Sequence, residues 1–503
     1  MRSDYDLVIV GGGAAGCVLA ARLSEDPTHR VLLLEAGPDY VALPGFLRDG
    51  QGPHLGSHDW DLESEPGPSG SALRLPRGKV IGGSSTINGA FALRGSPRDY
   101  DDWSAAGNQG WAWAEVLDSF KAVERDLDFA AEPFHGSKGP VPIRRYSGLA
   151  RSDVATAGQD AIASTGVPVI ADHNAPGAVG VGPLPVNEVG GARMDAASTY
   201  LAAARGRSNL TVRGDALVDH VILQANRAVG VRLATGERID GDRIVLAAGA
   251  YHSPAILMRS GIGPADDLAA LDLTALLHLP GVGRNLVDHP AVSLDLGYAG
   301  QPGEVRRFQL VATLHSEGTE PRTAPDLQLI VGGPFTDSRE FFVGAALLKP
   351  RSRGRVWLRS TNPFAAPRID LGYFTDPDDL TRLADGARKA WDVVHSPEIA
   401  SVSSGLHSAP DGPGDVARFV RERVWTYHHP VGTCAMGPHP EAGAVVDATG
   451  RVHGADGLWV ADASIMPDIP SANPHLATLM LAERIASWLV TSTPASLAGA
   501  LTL

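Results

Sequence analysis

The sequence predicts two combined units, an α/β Rossmann-like domain and an α+β domain built on an antiparallel sheet with helices. Three observations predict this. Tyr5 to Gly37 reads as strand, glycine turn, helix and strand. Apolar runs in the same style return at Arg243 to Ala250 and at Gly457 to Ser464, each followed by a helical pattern. Between them, from about Ala291, apolar and polar residues alternate with the period of an antiparallel sheet that has one wet face.

The run ending at Val10 reads as a buried parallel strand, and Gly11, Gly13 and Gly16 after it fit the G-x-G-x-x-G dinucleotide fingerprint. The first glycine permits the tight turn, the second lets a pyrophosphate approach the backbone, and the third lets the helix pack closely on the strand. The helix entered through Ala14 and Ala15 then presents free N–H groups and a positive dipole end to the phosphates. Glu35, followed by Ala36 at the end of the second strand, lies roughly 20 residues on, where an acid accepts hydrogen bonds from a ribose diol and repels a 2′-phosphate.

From Pro38 to Pro76 the chain is rich in proline and glycine and is expected to wrap the surface or cover a site. Arg77 to Gly89 follows, with Gly82, Gly83, Ser84 and Ser85 offering backbone N–H groups and hydroxyls suited to a phosphate or a flat heterocycle. Asp99 to Phe120 reads as helix, loop and helix, with Trp103, Trp111 and Trp113 as core. Strands are expected at Asn209 to Val212, Val218 to Leu223 and Val229 to Leu233. The strand Arg243 to Ala250 ends in small residues that leave room for a ligand, and Ser253-Pro254 begins the next helix. Asn285 to Pro290 follows a glycine-rich turn. Further strands are expected at Leu327 to Val331 and Arg355 to Arg359, and a helix between Pro377 and Val394. Pro474 stands at the start of a last helix that reaches about Leu489. The first unit is thereby assigned residues 1–147, 204–290 and 440–491, the second 148–203 and 291–439, with 492–503 as a tail.

At 503 residues, 44% hydrophobic and 20% charged, the chain has the composition of a soluble globular protein of two or three units. Its formal charge of −14 disfavours nucleic acid or an anionic membrane as a partner. It contains no run of the ~18 apolar residues that a membrane span needs. The first strand begins by Tyr5, leaving no room for a classical secretory signal, and two cysteines, Cys17 and Cys434, make no disulfide framework or metal cluster. Together these predict a cytoplasmic protein without a metal.

Taken together, these segments resemble the glucose-methanol-choline (GMC) family of FAD-dependent oxidoreductases, in order and over essentially the whole chain. Gly78 to Asn88 looks like the family's first signature and Gly249 to Gly263 like its second. Lys349 to Gly354 and His429 to Thr433 look like parts of its C-terminal half. The resemblance implies FAD, with Gly11, Gly13, Ala14, Ala15, Gly16, Glu35 and Ala36 holding the ADP half. It implies that Gly82, Gly83, Ser84, Ser85 and Asn88 lie near the diphosphate and flavin, and that Val212 touches adenine through its backbone. Ala248, Asp462 and Ala463 are implied near the diphosphate and ribityl chain, with Pro474, His475 and Thr478 also at the cofactor. Members that tether flavin through histidine, as choline oxidase does, carry it at about the position of Ile87. This chain has none there, which implies non-covalent FAD.

The resemblance also puts His429 and His475 at the flavin face, His429 as the base and His475 as hydrogen-bond partner of the substrate oxygen. An imidazole suits that proton transfer because its ordinary pKa of ~6.5 permits both forms near neutrality. His428 stays ambiguous between lining and chemistry. The activity implied is oxidation of a primary or secondary alcohol, aryl or furanyl alcohols first, with hydride passing to flavin N5 and electrons then to oxygen or another acceptor. A choline-type substrate would want a carboxylate and an aromatic cage, and a sugar or an electron-shuttle alcohol is a further alternative. Hydroxynitrile lyase chemistry, with FAD as a bystander, is the alternative from another reaction class. The identity of the alcohol, the choice between oxidase and dehydrogenase, and the oligomeric state stay open.

Overall fold

The computed structural model describes residues 3–491, except 41, 51–53, 55, 57, 147–150, 302, 304, 305, 321, 336 and 337. The expected tail therefore lies outside the described residues.

The first sheet is centred on β1 (Tyr5–Val10), whose Leu7, Val8 and Ile9 are fully buried. α1 (Ala14–Leu23) follows it and β2 (Val31–Leu34) returns parallel to it, in the register Leu7 to Val31. The strand Leu210–Arg213 extends the parallel sheet beyond β2, while Arg238–Leu246 lies on the other side of β1 and pairs in turn with Leu458–Val460. β1 and β2, in the middle of the sheet and packed against α1, are apolar runs of Val, Leu and Ile rather than alternating sequences. The C-terminal helix His475–Thr491 packs on α1 and on the helix Trp113–Val123. Trp103 and Trp111 are core residues, with their indole N–H groups donating to the carbonyls of Asp468 (3.1 Å) and Ala448 (2.8 Å).

The helix after Arg238–Leu246 runs Gly249–Arg259 and so begins four residues before the expected Ser253. Pro254 sits inside it and has no N–H for the Ala250 carbonyl. The Thr433 hydroxyl donates to that carbonyl instead, at 2.6 Å. A tertiary hydrogen bond thus permits a proline that local rules place at the helix start.

The second sheet is antiparallel, in the order Ser403–Ser408, Pro290–Tyr298, Glu340–Leu347, Leu327–Gly332, Phe308–Leu314 and Gly180–Pro183. The helix Pro377–Val394 falls on the expected residues, and with the helix Asp153–Ser164 it covers one face through Leu383, Ala387, Ala161 and Ile162. Val292, Leu294, Leu329, Val331, Phe341 and Val343 point at those helices. The intervening Ser293, Ile330 and Phe342 point the other way, onto a cavity. A register shift between Phe308 and Leu310 lets Phe308 join them. The expected wet face is therefore the wall of an internal space, and Leu327–Gly332 is buried along its whole length. Ala197–Leu201, assigned above to the second unit, packs on α1.

Glu124, Asp126 and His135 approach closely enough to suggest a metal cluster, but their charges are already matched. Arg94 pairs with Glu124, and Arg145 reaches Asp126 at 2.9 Å and Asp172 at 2.6 Å. The His135 ring donates to Glu124 at 2.8 Å and to Asp172 at 2.9 Å. Burial opposes charge on this imidazole, but the hydrogen bonds of Asp172 and Glu124 outweigh it and raise its pKa to about 9. Three carboxylates then face two guanidiniums and an imidazolium.

A raised folded-state pKa contributes stability that is complete below the unfolded value and is lost as pH rises through the folded one. Thermal stability measured across pH is expected to fall between ~6.5 and about 9. His135→Gln should flatten that segment of the profile, and an unchanged slope would remove His135 from the network's balance.

Candidate active site

One cavity of about 640 Å³ runs from the first glycine turn to the start of the C-terminal helix. Gly11, Gly13, Ala14, Ala15, Glu35 and Ala36 line one end, at the carboxyl ends of β1 and β2. Gly83, Ser84, Ser85, Asn88, Ala248, Asp462 and Ala463 line its middle, and His429, Pro474, His475 and Thr478 the far end. Three expected residues do not line it. Gly16 is a packing position, since a Cβ there would stand 1.9 Å from the Gly11 carbonyl oxygen. Gly82 turns its N–H to the Gly12 carbonyl at 2.7 Å. Val212 is held in the sheet opposite Leu33, and from this part of the chain it is Ala216, Leu217 and Val218 that line the cavity. The chain crosses the strand ends only after Arg213, where Ala216 N–H donates to the Glu35 carbonyl at 2.8 Å.

At the glycine end the carboxylates are committed. Glu35 accepts from Gly12 N–H at 2.8 Å and Gly37 N–H at 2.9 Å, one on each oxygen. Burial nevertheless pushes its pKa up to about 7. Each oxygen keeps a second lone pair for another donor. Asp462 accepts from Gly249 N–H at 2.9 Å, Ser253 hydroxyl at 2.6 Å and Ser464 N–H at 2.8 Å, so it bridges the last parallel strand to the helix Gly249–Arg259. Asn88 Oδ1 accepts from Ala90 N–H at 2.9 Å and from Arg193 at 2.7 Å.

At the far end His429 is positioned through its backbone. Its N–H donates to Asp288 Oδ1 at 2.7 Å, and Asp288 Oδ2 accepts from Thr426 at 2.5 Å. His428 before it holds a left-handed φ of 67°, and its carbonyl accepts from Arg77 at 2.7 Å. That turn aims the next side chain into the cavity. The His429 ring places Nδ1 3.0 Å from His289 Nδ1 and Nε2 3.1 Å from Asn473 Nδ2. The Tyr427 ring packs against it with centroids 4.3 Å apart.

His475 opens the C-terminal helix directly after Pro474, whose carbonyl accepts both the N–H and the hydroxyl of Thr478 at 2.8 Å. His475 Nε2, His428 Nδ1 and Asn473 Oδ1 are buried without a hydrogen-bond partner. Burial lowers the pKa of every histidine here. It takes His475 to about 4, with Arg193 adding to the effect, and His428 to about 3. His429 falls well below its ordinary value, through burial first and then His289, His428 and Arg77. All are neutral near pH 7, and a neutral imidazole keeps one bare nitrogen able to take a proton.

His289, Asn473 and Tyr427 complete this end and escaped the sequence analysis as site residues. Asn473 was within reach, two residues before His475 in the same turn. His289 stood in the Asn285–Pro290 segment without any local sign of its distant partner. The outer wall is made by Phe91, Phe308, Ile330, Phe342, Trp425 and Tyr427, with Ser293 the hydroxyl among them.

Comparison with known proteins finds likeness over nearly the whole chain. Residues 5–291 match the N-terminal and residues 350–482 the C-terminal model of GMC oxidoreductase. The chain is 37% identical to 5-(hydroxymethyl)furfural oxidase of Methylovorus sp. (strain MP688), over 97% of this chain and 99% of that protein. It is 33% identical to oxygen-dependent choline dehydrogenase of Brucella anthropi, over 98% of this chain and 96% of that one. Among solved structures, pyridoxine 4-oxidase from Mesorbium loti superposes with a TM-score of 0.90 at 33% identity, covering 97% of this chain and 100% of that one.

Gly83 tests the cradle between the two glycine segments. Its φ is 55°, and a Cβ would lie 2.6 Å from the Gly13 Cα, backbone that cannot move aside. Gly83→Ala is expected to purify with markedly less FAD while keeping its far-ultraviolet circular dichroism. Wild-type flavin content, read from the visible absorbance per protein, would remove this contact from cofactor retention.

Proposed function

This chain belongs to the GMC oxidoreductase family, and we propose that it oxidises a neutral aromatic or furanyl alcohol to the carbonyl compound, with His429 as the base. The family is FAD-dependent, and its relatives act on alcohols. The cavity suits the cofactor. It begins at a dinucleotide fingerprint with an acid at the second strand, passes the Gly83–Gly13 approach, and ends among buried polar atoms that have no protein partner. When bound, FAD supplies the acceptor for the hydrogen and electron pair that leave the carbinol carbon.

The observation that carries the proposal is His429 itself, a buried neutral imidazole held at its backbone by Asp288 and aimed at the cavity. An alcohol there would give its hydroxyl proton to Nε2, the O–H bond breaking as N–H forms. His475 Nε2 and the Asn473 amide supply further polar contacts for the oxygen. Apolar walls exclude water, so that the developing alkoxide charge is met by these groups rather than by solvent.

The wall supports the proposed substrate class. Among the described lining residues the carboxylates are Glu35 and Asp462, both occupied by backbone and hydroxyl donors at the dinucleotide end. The six apolar or aromatic side chains of the outer wall offer a flat ring stacking surface, and no acid among them balances a quaternary ammonium. Ile87 carries no nucleophile for a flavin tether, so FAD is non-covalent. Oxygen or another oxidant completes the cycle.

Under anaerobic conditions, a furanyl or benzylic alcohol is expected to bleach the flavin absorbance, which a lyase reaction would not require, and choline to do so far more slowly. Admission of air then separates an oxidase from a dehydrogenase. His429→Ala should slow the bleaching by about 10²-fold or more, the scale of general base catalysis. Reduction at near wild-type speed would exclude His429 as the base.

The flavin should leave with the supernatant when the protein is precipitated by acid. Yellow precipitate would contradict non-covalent binding.

A further inference from the structure

The proton-transfer reading of His429 leaves one matter undecided, namely which of its two nitrogens is bare. A base at the cavity needs Nε2 free and the ring proton on Nδ1. The partner that decides this is His289, at the end of the Asn285–Pro290 segment, whose Nδ1 lies 3.0 Å from His429 Nδ1. Two Nδ1 atoms at this distance share a single proton, so the assignment of one ring fixes the other.

The surroundings of His289 fix its own assignment. The ring is fully buried, with 0% of its surface exposed. Its Nε2 has no hydrogen bond of good geometry. The backbone of Leu348 and of Pro470 lies close enough to the ring to favour a proton on it. Nδ1 already faces His429 Nδ1, so Nε2 is the nitrogen left to carry that proton. A second proton is disfavoured by burial first, and then by the ammonium of Lys349, held between Asp99 Oδ1 at 3.0 Å and Asp468 Oδ2 at 2.6 Å. Asp468 acts in the opposite direction but is itself paired with Lys349 and Arg353. His289 is therefore a neutral ring protonated at Nε2, with Nδ1 as an acceptor.

We propose that His289 is a positioning residue that holds the proton of His429 on Nδ1 and thereby keeps His429 Nε2 bare toward the alcohol. The donor and acceptor roles then alternate along the whole chain of contacts. His289 Nδ1 accepts from His429 Nδ1–H, and His429 Nε2 accepts from the Asn473 amide at 3.1 Å until an alcohol hydroxyl takes over that lone pair. The reverse arrangement could be accommodated at Asn473 by turning the amide over. At His289 it would strip Nε2 of its proton although the neighbouring backbone favours a protonated ring. When His429 takes the hydroxyl proton, the imidazolium keeps donating through Nδ1 to a neutral acceptor, which stabilises its charge without a second charge in the dry pocket.

This inference rests on His429 as the base, and the tests separate the two ideas. In the holoenzyme labelled with ¹⁵N-histidine, with the His429 signals identified by their loss in His429→Gln, His429 is expected to show a protonated Nδ1 and a bare Nε2. His289→Gln withdraws the acceptor from the Nδ1 position, whereas His289→Asn can return an amide oxygen there. In His289→Gln, anaerobic flavin reduction by a benzylic alcohol should slow on the order of tenfold or more, as when outer partners of active-site histidines are removed. Its apparent pKa should move down, because the charged form loses a hydrogen-bond acceptor. His289→Asn should recover most of the rate and the pKa. Observation of an Nε2–H tautomer of His429 in the wild-type holoenzyme, or equal rates and pH profiles for the Gln and Asn variants, would overturn the proposal. Should the variants fail to fold, the wild-type tautomer still decides. If His429→Ala reduces its flavin at wild-type speed, the base reading fails first, whatever the His289 variants do.

Discussion

The structure depends on one close approach of backbone to backbone. Gly82 N–H donates to the Gly12 carbonyl at 2.7 Å, and Gly83 lies so near Gly13 that a Cβ on Gly83 would stand 2.6 Å from the Gly13 Cα. This contact fastens the Arg77–Gly89 segment across the mouth of the first strand–helix turn. It sets Ser84, Ser85 and Asn88 along the cavity rather than at the surface, and Arg193 then ties Asn88 to the loop of Leu47 and Asp49. The glycines matter through the space they leave empty. A single methyl group would separate the two segments and open the floor on which a dinucleotide lies.

The two ends of the cavity solve the cost of buried polarity in opposite ways. Toward the glycine end and in the middle, Glu35 and Asp462 are surrounded by N–H and hydroxyl donors, which offset part of the burial that raises both their pKa values. At the histidine end the rings meet burial by staying neutral, and several of their nitrogens have no protein partner. Unpartnered buried nitrogen is costly for stability, about 1–3 kcal/mol for each such group. A site that must receive a hydroxyl oxygen and hold its proton has use for that unsatisfied capacity.

Much of this was legible in the sequence because it is encoded locally. The glycine spacing, the apolar strands and the period of Pro377–Val394 are properties of neighbouring residues, and each named an element that the structure contains. His429 and His475 were legible through family motifs, not through their own chemistry. What the sequence could not show depends on residues far apart. The helix Gly249–Arg259 begins early because Thr433 satisfies a carbonyl that Pro254 cannot. Alternation in Leu327–Gly332 and its neighbours correctly implied a sheet with two unlike faces, but polarity alone does not distinguish open water from an internal wall lined by Phe308, Ile330 and Phe342. The contact of His289 with His429 spans 140 positions and leaves no periodic trace.

The same distance in sequence explains how the site attains rigidity. His429 lies on an irregular segment, where a side chain would ordinarily be mobile. Here the backbone is fixed from three directions, by Asp288 on its N–H, by Arg77 on the preceding carbonyl, and by Thr426 through Asp288. His475 is fixed differently, as the first residue of a long helix whose positive end disfavours a proton on its ring. Burial keeps both histidines neutral, with His289, His428 and Arg77 adding to the effect at His429 and Arg193 at His475. The His429 Nδ1 atom has His289 Nδ1 beside it at 3.0 Å, whereas His475 Nε2 has no hydrogen-bond partner. That asymmetry supports the proposed division, in which His429 takes the proton and His475 orients the oxygen.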